Sequence, residues 1–143
     1  MVNYWLCVTN GENWGVIRER DVWGVPKRSR GRIERVRRGD YLVFYVIPGR
    51  VCGVFRAVSE PFVSEEPIFS WVEFGRPEVF PYRVRVEPVI LPVEPLEFRV
   101  VVPRLGFIGN KVRWSVYLRN AMRPIPEEDY EVIVSSLRRK GLK

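Results

Sequence analysis

Residues 1–9 set the first constraint on the fold. Tyr4, Leu6 and Val8 alternate with Trp5, Cys7 and Thr9, so a strand here is apolar on both faces and suits the centre of a sheet. Residues 41–47 predict a second strong strand, rich in aromatic and β-branched side chains. Pro48-Gly49-Arg50 then turns the chain into an antiparallel return over residues 51–58. Residues 82–89 alternate as well, with Tyr82, Val84 and Val86 on one face and Arg83, Arg85 and Glu87 on the other, which predicts a strand with one wet side. Pro88, Pro92 and Pro95 argue for an edge or a crossing there, and residues 96–102 offer one more strand. Between them, residues 60–81 read as irregular, with four prolines among Phe62, Phe69, Trp71, Phe74 and Phe80.

Helices are few. Residues 12–20 predict a short one with Asn10 or Gly11 near its cap, and Trp23-Gly24-Val25-Pro26 ends that unit. A clearer helix follows Pro126: Glu127, Glu128 and Asp129 fill its first turn, Arg138, Arg139 and Lys140 its last, and Gly141 stands beyond. Those charges complement the helix dipole, while Tyr130, Ile133, Val134 and Leu137 form an apolar stripe. The chain has 143 residues, 46% of them hydrophobic, enough to bury one core without crosslinks. The expected architecture is α+β, a curved mixed sheet or small open barrel flanked by a few short helices, in one domain over residues 1–143.

Composition removes several function classes. Without histidine there is no imidazole for Ser-His-Asp or Cys-His catalysis or for metal binding. Cys7 and Cys52 stand alone, both in predicted strands, and read as buried, reduced, inert thiols rather than a redox pair or zinc ligands. No apolar run approaches a membrane span and no signal-peptide pattern opens the chain, so a soluble cytoplasmic protein without metal, cofactor or membrane partner is expected.

Charge supplies a positive indication. Twenty-four basic residues oppose seventeen acidic ones, a net +7, and only Lys27, Lys111, Lys140 and Lys143 are not arginine. The guanidinium fork grips phosphate and stacks on bases, which suits a nucleic-acid partner; absent glutamine and scarce asparagine equally fit adaptation to heat. Within residues 27–38, Lys27, Arg28, Arg30, Arg32, Arg35, Arg37 and Arg38 are opposed only by Glu34, and Ser29 and Gly31 loosen the stretch into an expected mobile loop. Lys27, Arg28, Arg30 and Arg32 are its candidate phosphate contacts.

Five tryptophans are more than one small core needs. Trp5 reads as core, whereas Trp14, Trp23, Trp71 and Trp114 sit in or beside predicted loops, where recognition residues concentrate. Facing aromatic planes can sandwich a base; the competing role is plugging barrel ends. Asn10 and Asn13 each offer a donor and an acceptor for a base edge, with helix capping competing at Asn10, and Arg113 beside Trp114 can hold a phosphate or stack.

Several segments, in order, carry a family resemblance: Tyr4-Trp5-Leu6-Cys7-Val8-Thr9-Asn10, Glu12-Asn13-Trp14, Asp21-Val22-Trp23-Gly24-Val25-Pro26, Arg38-Gly39-Asp40, Cys52-Gly53-Val54, Ser59-Glu60-Pro61-Phe62, Phe80-Pro81-Tyr82-Arg83-Val84, Arg113-Trp114-Ser115, Ala121-Met122-Arg123 and Ile125-Pro126-Glu127-Glu128-Asp129-Tyr130. The set resembles the archaeal type of EVE domain, of the PUA-like superfamily and related to YTH domains. That resemblance implies a compact β-barrel flanked by helices and a pocket for one extruded base, often a modified one. In YTH domains an aromatic cage holds the methyl group of a methylated adenine. Carried over, Trp23 matches the first cage tryptophan, Thr9 and Asn13 fall where the base edge is contacted, and Gly24 lets backbone approach the ligand. Trp71 is the choice for the second wall, with Phe69 as substitute, and a third cage aromatic has no counterpart. The expected partner is nucleic acid, RNA in preference to DNA, bearing a modified base.

Catalysis finds little support. Glu65-Glu66 and Glu127-Glu128-Asp129 are the clustered carboxylates, the latter explained by a helix dipole, and Asp21 and Asp40 stand singly at turns. Residues 106–111 lack the Gly-Lys-Ser/Thr core of a phosphate loop. A non-enzymatic binding module is expected, with a protein-interaction or scaffold domain as the alternative.

Overall fold

A computed structural model describes residues 2–69, 72–73, 76–77 and 79–139, with side chains described outside residues 70–78. In chain order the elements are β1 (Tyr4–Thr9), α1 (Gly11–Arg20), β2 (Val22–Val25), a 3-10 turn (Lys27–Ser29), α2 (Arg30–Ile33), β3 (Tyr41–Val46), β4 (Arg50–Ala57) and β5 (Phe62–Val63). Then follow β6 (Val72–Glu73), β7 (Arg76–Pro77), β8 (Tyr82–Ile90), β9 (Leu96–Glu97), α3 (Phe98–Val101), 3-10 turns at Val102–Arg104 and Trp114–Leu118, β10 (Met122–Ile125) and α4 (Glu127–Arg138). The main sheet runs β10-β1-β3-β4-β8-β2, with β5 added on β8 and β9 on β4. β1 and β3 are parallel, and the other pairs along this path are antiparallel. This is a curled mixed sheet, a half-barrel carrying four short helices, as the sequence pattern led us to expect.

Two-sided apolarity dictates the layering. Trp5, Cys7, Leu42, Phe44 and Phe55 turn to one face and join a core closed by α1, β2 and β8. Leu6, Val43, Tyr45, Val51 and Val54 turn to the other, where α3 and α4 cover them with Phe98, Val101, Tyr130, Ile133, Val134 and Leu137. The curl comes from β8, whose first half pairs with β2 and β5 while its second half pairs with β4. The register slips at Val54/Phe55, opposite Pro88, which has no N–H for a ladder bond.

Buried polar groups lock this frame. Asp40 is 1% exposed; its carboxylate accepts from the Asn3 N–H (3.0 Å), the Trp5 indole N–H (3.1 Å) and the Arg37 N–H (2.9 Å). Its backbone carbonyl accepts from Ala57 N–H at 2.8 Å, so one residue ties the entries of β1 and β3 to the exit of β4. Asp129, also buried, accepts from the N–H groups of Gly106 (2.8 Å) and Phe107 (2.9 Å). It therefore anchors a distant loop, beyond any service to the helix dipole.

Several expectations are corrected. The basic stretch is helical at Lys27–Ser29 and Arg30–Ile33 rather than a loose loop, because Ile33 and Val36 are fully buried and pin it to the body. Residues 96–102 give only a two-residue strand before turning helical; Phe98, Val101 and Val102 bury at helical spacing. Arg83 is not on a wet face. It is 2% exposed, its Nε donating to the Phe80 carbonyl (2.8 Å), Nη1 to Ser64 Oγ (3.0 Å) and Nη2 to the Glu66 carbonyl, since the chain around β5 crosses over it. Trp14 lies on the expected helix, α1, but it is buried rather than placed for recognition, with its ring 5.5 Å from Phe44 and 5.7 Å from Phe55. A side chain at Gly53 would place Cβ 3.0 Å from that indole.

Two outcomes are expected from this frame. Asp40→Ala strands three N–H groups in a buried place and should lower unfolding free energy in urea by about 3 kcal/mol, at roughly 1 kcal/mol or more per lost partner; a loss below about 1 kcal/mol would contradict the linkage. Both cysteines are free thiols, Cys7 fully buried and Cys52 half-buried, and burial pushes both thiol pKa values up, with Arg50 and Arg18 opposing the shift at Cys52. Native thiol titration should leave Cys7 unreacted and Cys52 slow, both reacting on unfolding; rapid labelling of Cys7 in folded protein would refute this.

Candidate functional site

β1 and β3 run parallel, so their carboxyl ends lie together, and a pocket of about 200 Å³ opens there. Val8 and Thr9 from the end of β1, and Ile47 just past β3, form one side. Asn10 ends β1 and caps α1, its side chain accepting from the Asn13 N–H at 2.7 Å. That cap starts the helix directly over the strand end and turns Asn13, nearly wholly buried, into the pocket lining. Trp23 of β2, Pro26, Arg28, Phe80 and residues 118–121 complete the lining. Two backbone bonds of 2.8 Å fix those walls, Val8 N–H to the Ala121 carbonyl and Ile47 N–H to the Thr9 carbonyl.

The lining sorts into an apolar part, from Val8, Trp23, Pro26, Ile47, Phe80, Leu118 and Ala121, and a polar part, from Thr9, Asn13, Asn120, Arg28 and Arg119. Among the described residues no carboxylate, cysteine or lysine contributes, so the arrangement offers hydrogen bonds, apolar surface and two positive charges. Trp23 is 1% exposed, with Phe44 edge-on to its ring at 5.3 Å and 79°. Among the described residues, its Nε1 is the buried side-chain nitrogen or oxygen without a hydrogen-bond partner.

The sequence-derived candidates divide accordingly. Thr9, Asn13, Trp23 and Arg28 come together on the pocket, and Asn10 supports it as the cap. Gly24 backs it: a Cβ there would lie 2.7 Å from the Phe69 ring and 3.1 Å from the Phe80 carbonyl oxygen. Phe69 stacks on Phe80 at 5.9 Å and stands behind the aromatic that reaches the lining. Trp71 lies outside the described residues. Arg113 and Trp114 are not on the lining; the Trp114 ring lies 5.4 Å from Phe98, against the opposite core. Lys27 adjoins Arg28 and is exposed, whereas Arg30 is held over the Tyr82 ring at 5.3 Å and pairs with Glu34 at 3.4 Å, and Arg32 is half-buried on α2.

Sequence reasoning missed Phe80, Leu118, Arg119 and Asn120. Phe80 stood within the family-like segments without a role, and Arg119-Asn120 was a polar pair ahead of a strand, with no local sign of facing Thr9. A smaller polar recess lies between Arg20, Ser64, Glu66, Arg83 and Arg85, but its cations are engaged: Arg20 with Glu66 at 2.8 Å, Arg83 by its three bonds and Arg85 over the Phe62 ring at 5.3 Å. Among the described residues no three metal-donor side chains converge, and no helix is long and apolar enough to cross a membrane.

Known proteins place this geometry. The EVE domain family model matches residues 3–136. A UPF0310 protein of Pyrococcus abyssi is 42% identical over 146 residues, spanning 95% of this chain and 100% of that protein. Another from Pyrococcus horikoshii is 39% identical across 92% of this chain and 97% of its own length. Among solved structures, a hypothetical protein from Leishmania major superposes with a TM-score of 0.70 at 15% identity, covering 97% of this chain and 96% of that one. The YTH domain of a Zygosaccharomyces rouxii protein in complex with N6-methyladenosine RNA does so with a TM-score of 0.61 at 17% identity, covering 92% and 85%. The half-barrel is thus shared with YTH domains, and the family match over nearly the whole length, with archaeal relatives near 40% identity, is decisive: this chain belongs to the EVE domain family.

Proposed function

We propose that this EVE domain is a cytoplasmic, non-catalytic nucleic-acid-binding module whose pocket takes one extruded base, from RNA in preference to DNA, with room for a small apolar modification on that base. The observation that carries the reading is the pocket's composition among the described residues: an apolar part, two carboxamides and a hydroxyl, and two guanidiniums with no carboxylate. A volume near 200 Å³, below the roughly 300–1,000 Å³ of drug-sized sites, suits a single heterocycle rather than a whole nucleotide. Thr9, Asn13 and Asn120 can pair with donors and acceptors on a base edge, while Val8, Ile47, Leu118 and Phe80 receive an added methyl. Arg28 and Arg119, with Lys27 nearby, are set to neutralise the flanking phosphates. Arg30 and Arg32 extend this surface along α2. The fold likeness to a YTH domain solved with N6-methyladenosine RNA supports the same partner class.

Catalysis is not part of the reading, because the described residues of the lining supply no general acid, general base or activated nucleophile. Extruding a base from a duplex costs a few kcal/mol, so unpaired strands are favoured.

Fluorescence anisotropy tests this with short single-stranded RNA carrying N6-methyladenosine, its unmethylated form, the duplex and the matching DNA. Single strands should bind tighter than duplex, and the methylated base about fourfold tighter than the plain one, the worth of one buried methyl at roughly 0.8 kcal/mol. Arg28→Ala and Arg119→Ala should each reduce the slope of log affinity against log salt by about 0.7. Failure of every nucleic acid to bind at low salt would overturn the reading in favour of a protein-interaction domain.

A further inference from the structure

We infer that Arg32 of α2 and Arg123 of β10 form a subsite for one phosphate group beside the recess, which takes the phosphodiester next to the bound base. The inference deepens the base-pocket reading and rests on it for the source of the phosphate.

Charge is segregated along this chain. Residues 27–38 carry Lys27, Arg28, Arg30, Arg32, Arg35, Arg37 and Arg38 against Glu34 alone, and residues 104–123 carry Arg104, Lys111, Arg113, Arg119 and Arg123 against no carboxylate. The two segments hold half of the twenty-four basic residues and one of the seventeen acidic ones, so the rest of the chain is net acidic. The fold brings them together. α2 packs against β10, and each segment sends one arginine, Arg28 and Arg119, to the lining of the recess. Arg32 follows Arg28 by four residues, and Arg123 follows Arg119 by the same interval.

Arg32 and Arg123 share an electrostatic problem. Both are half-buried, and among the described residues neither is in an ion pair, whereas Arg30 pairs with Glu34 at 3.4 Å. Arg123 is also held in place. Its guanidinium lies over the Phe107 ring at 4.6 Å and the Tyr117 ring at 6.0 Å, and donates to the Tyr117 carbonyl at 3.4 Å. Phe107 is fixed in turn by its N–H to Asp129 at 2.9 Å, and the Tyr117 hydroxyl accepts from the Asn110 N–H at 3.1 Å. Burial pushes the Arg123 pKa down, Tyr117 opposes that shift and the Arg32 charge adds to it. Two partly desolvated cations that repel one another are relieved by an anion shared between them. A guanidinium fork suits phosphate oxygens, and the same two segments border the recess, so the anion is assigned to the backbone of the strand whose base lies there.

Arg32→Glu is the decisive variant, because it turns repulsion of Arg123 into attraction while removing a phosphate ligand. The expected result is a Tm raised by about 1–4 °C together with affinity for short single-stranded RNA reduced at least about tenfold. Arg99→Glu on α3 makes the same change in net charge away from the subsite, and should weaken that RNA less than about threefold, since salt screens distant charges. Arg32→Gln and Arg123→Gln should each weaken RNA several-fold, and the double variant by less than the product of the two, as for two ligands of one phosphate. A Tm unchanged or lowered in Arg32→Glu, RNA weakened no more by it than by Arg99→Glu, or independent effects of the two glutamine variants would overturn the inference and leave the base-pocket reading standing. Inorganic phosphate, titrated at fixed ionic strength into 15N-labelled protein, separates the sources. Shifts at the Arg32 and Arg123 amides with no RNA binding would keep the subsite for free phosphate and remove the base-pocket reading; neither shifts nor RNA binding would remove both.

Discussion

The parallel pairing of β1 with β3 is the constraint from which the rest follows. Both strands are apolar on each face, so the sheet needs a core above and below, and the chain supplies α1, β2 and β8 on one side and α3 and α4 on the other. A parallel pair cannot be closed by a hairpin, so residues 10–40 must cross over, and they carry α1, Trp23 and the basic helical segment with them. Asp40 secures the amino ends of the pair by gathering N–H groups from Asn3, Trp5 and Arg37. The carboxyl ends are left to diverge, β1 into a capped helix and β3 into the turn to β4. The pocket occupies that divergence, with one end of the strand pair tied shut and the other open to solvent.

Rigidity and charge are divided between the walls. Asn10, Gly24, Phe69 and Phe80 form a packed support whose close approach tolerates no Cβ at Gly24. Arg28 and Arg119 come from segments separated by most of the chain and both line the recess. Arg83 has a structural use: engaged by two carbonyls and a hydroxyl, it fastens the chain around β5 onto β8. Counting arginines therefore overstates the surface available to phosphate, since a buried one such as Arg83 serves the fold.

What local pattern determines was readable in the chain. β1, β3, β4 and α4 follow from alternation, β-branched content and end charges, and the α+β half-barrel from their order. Thr9, Asn13 and Trp23 were readable as pocket candidates through their family-like segments and Arg28 through the basic run, and all four do line the recess. The misses share a physical cause, which is that burial is decided by segments distant in sequence. Arg83 looked wet because alternation cannot show that residues 62–69 cross over it. Residues 96–102 looked like a strand because three consecutive valines suit either period, and only docking against α4 selects the helix. Trp14 and Trp23 stood in or beside predicted loops, yet both rings bury against Phe44, which β3 brings to them from a distant part of the chain. Arg119 and Asn120 carried no local sign, since only the antiparallel return of β10 onto β1 brings them to Thr9.

The central claim is that the recess at the carboxyl ends of β1 and β3, rather than the basic surface alone, receives the base. Backbone amide chemical shifts, followed while short single-stranded RNA carrying N6-methyladenosine is titrated into labelled protein, test it most directly. The account expects the largest shifts at Thr9, Asn13, Asn120 and Ala121, with smaller ones at Arg28 and along α2. Shifts confined to residues 27–38 while the amides of Thr9, Asn13 and Asn120 stay unmoved would contradict it, and would leave a basic surface that holds phosphate without reading a base.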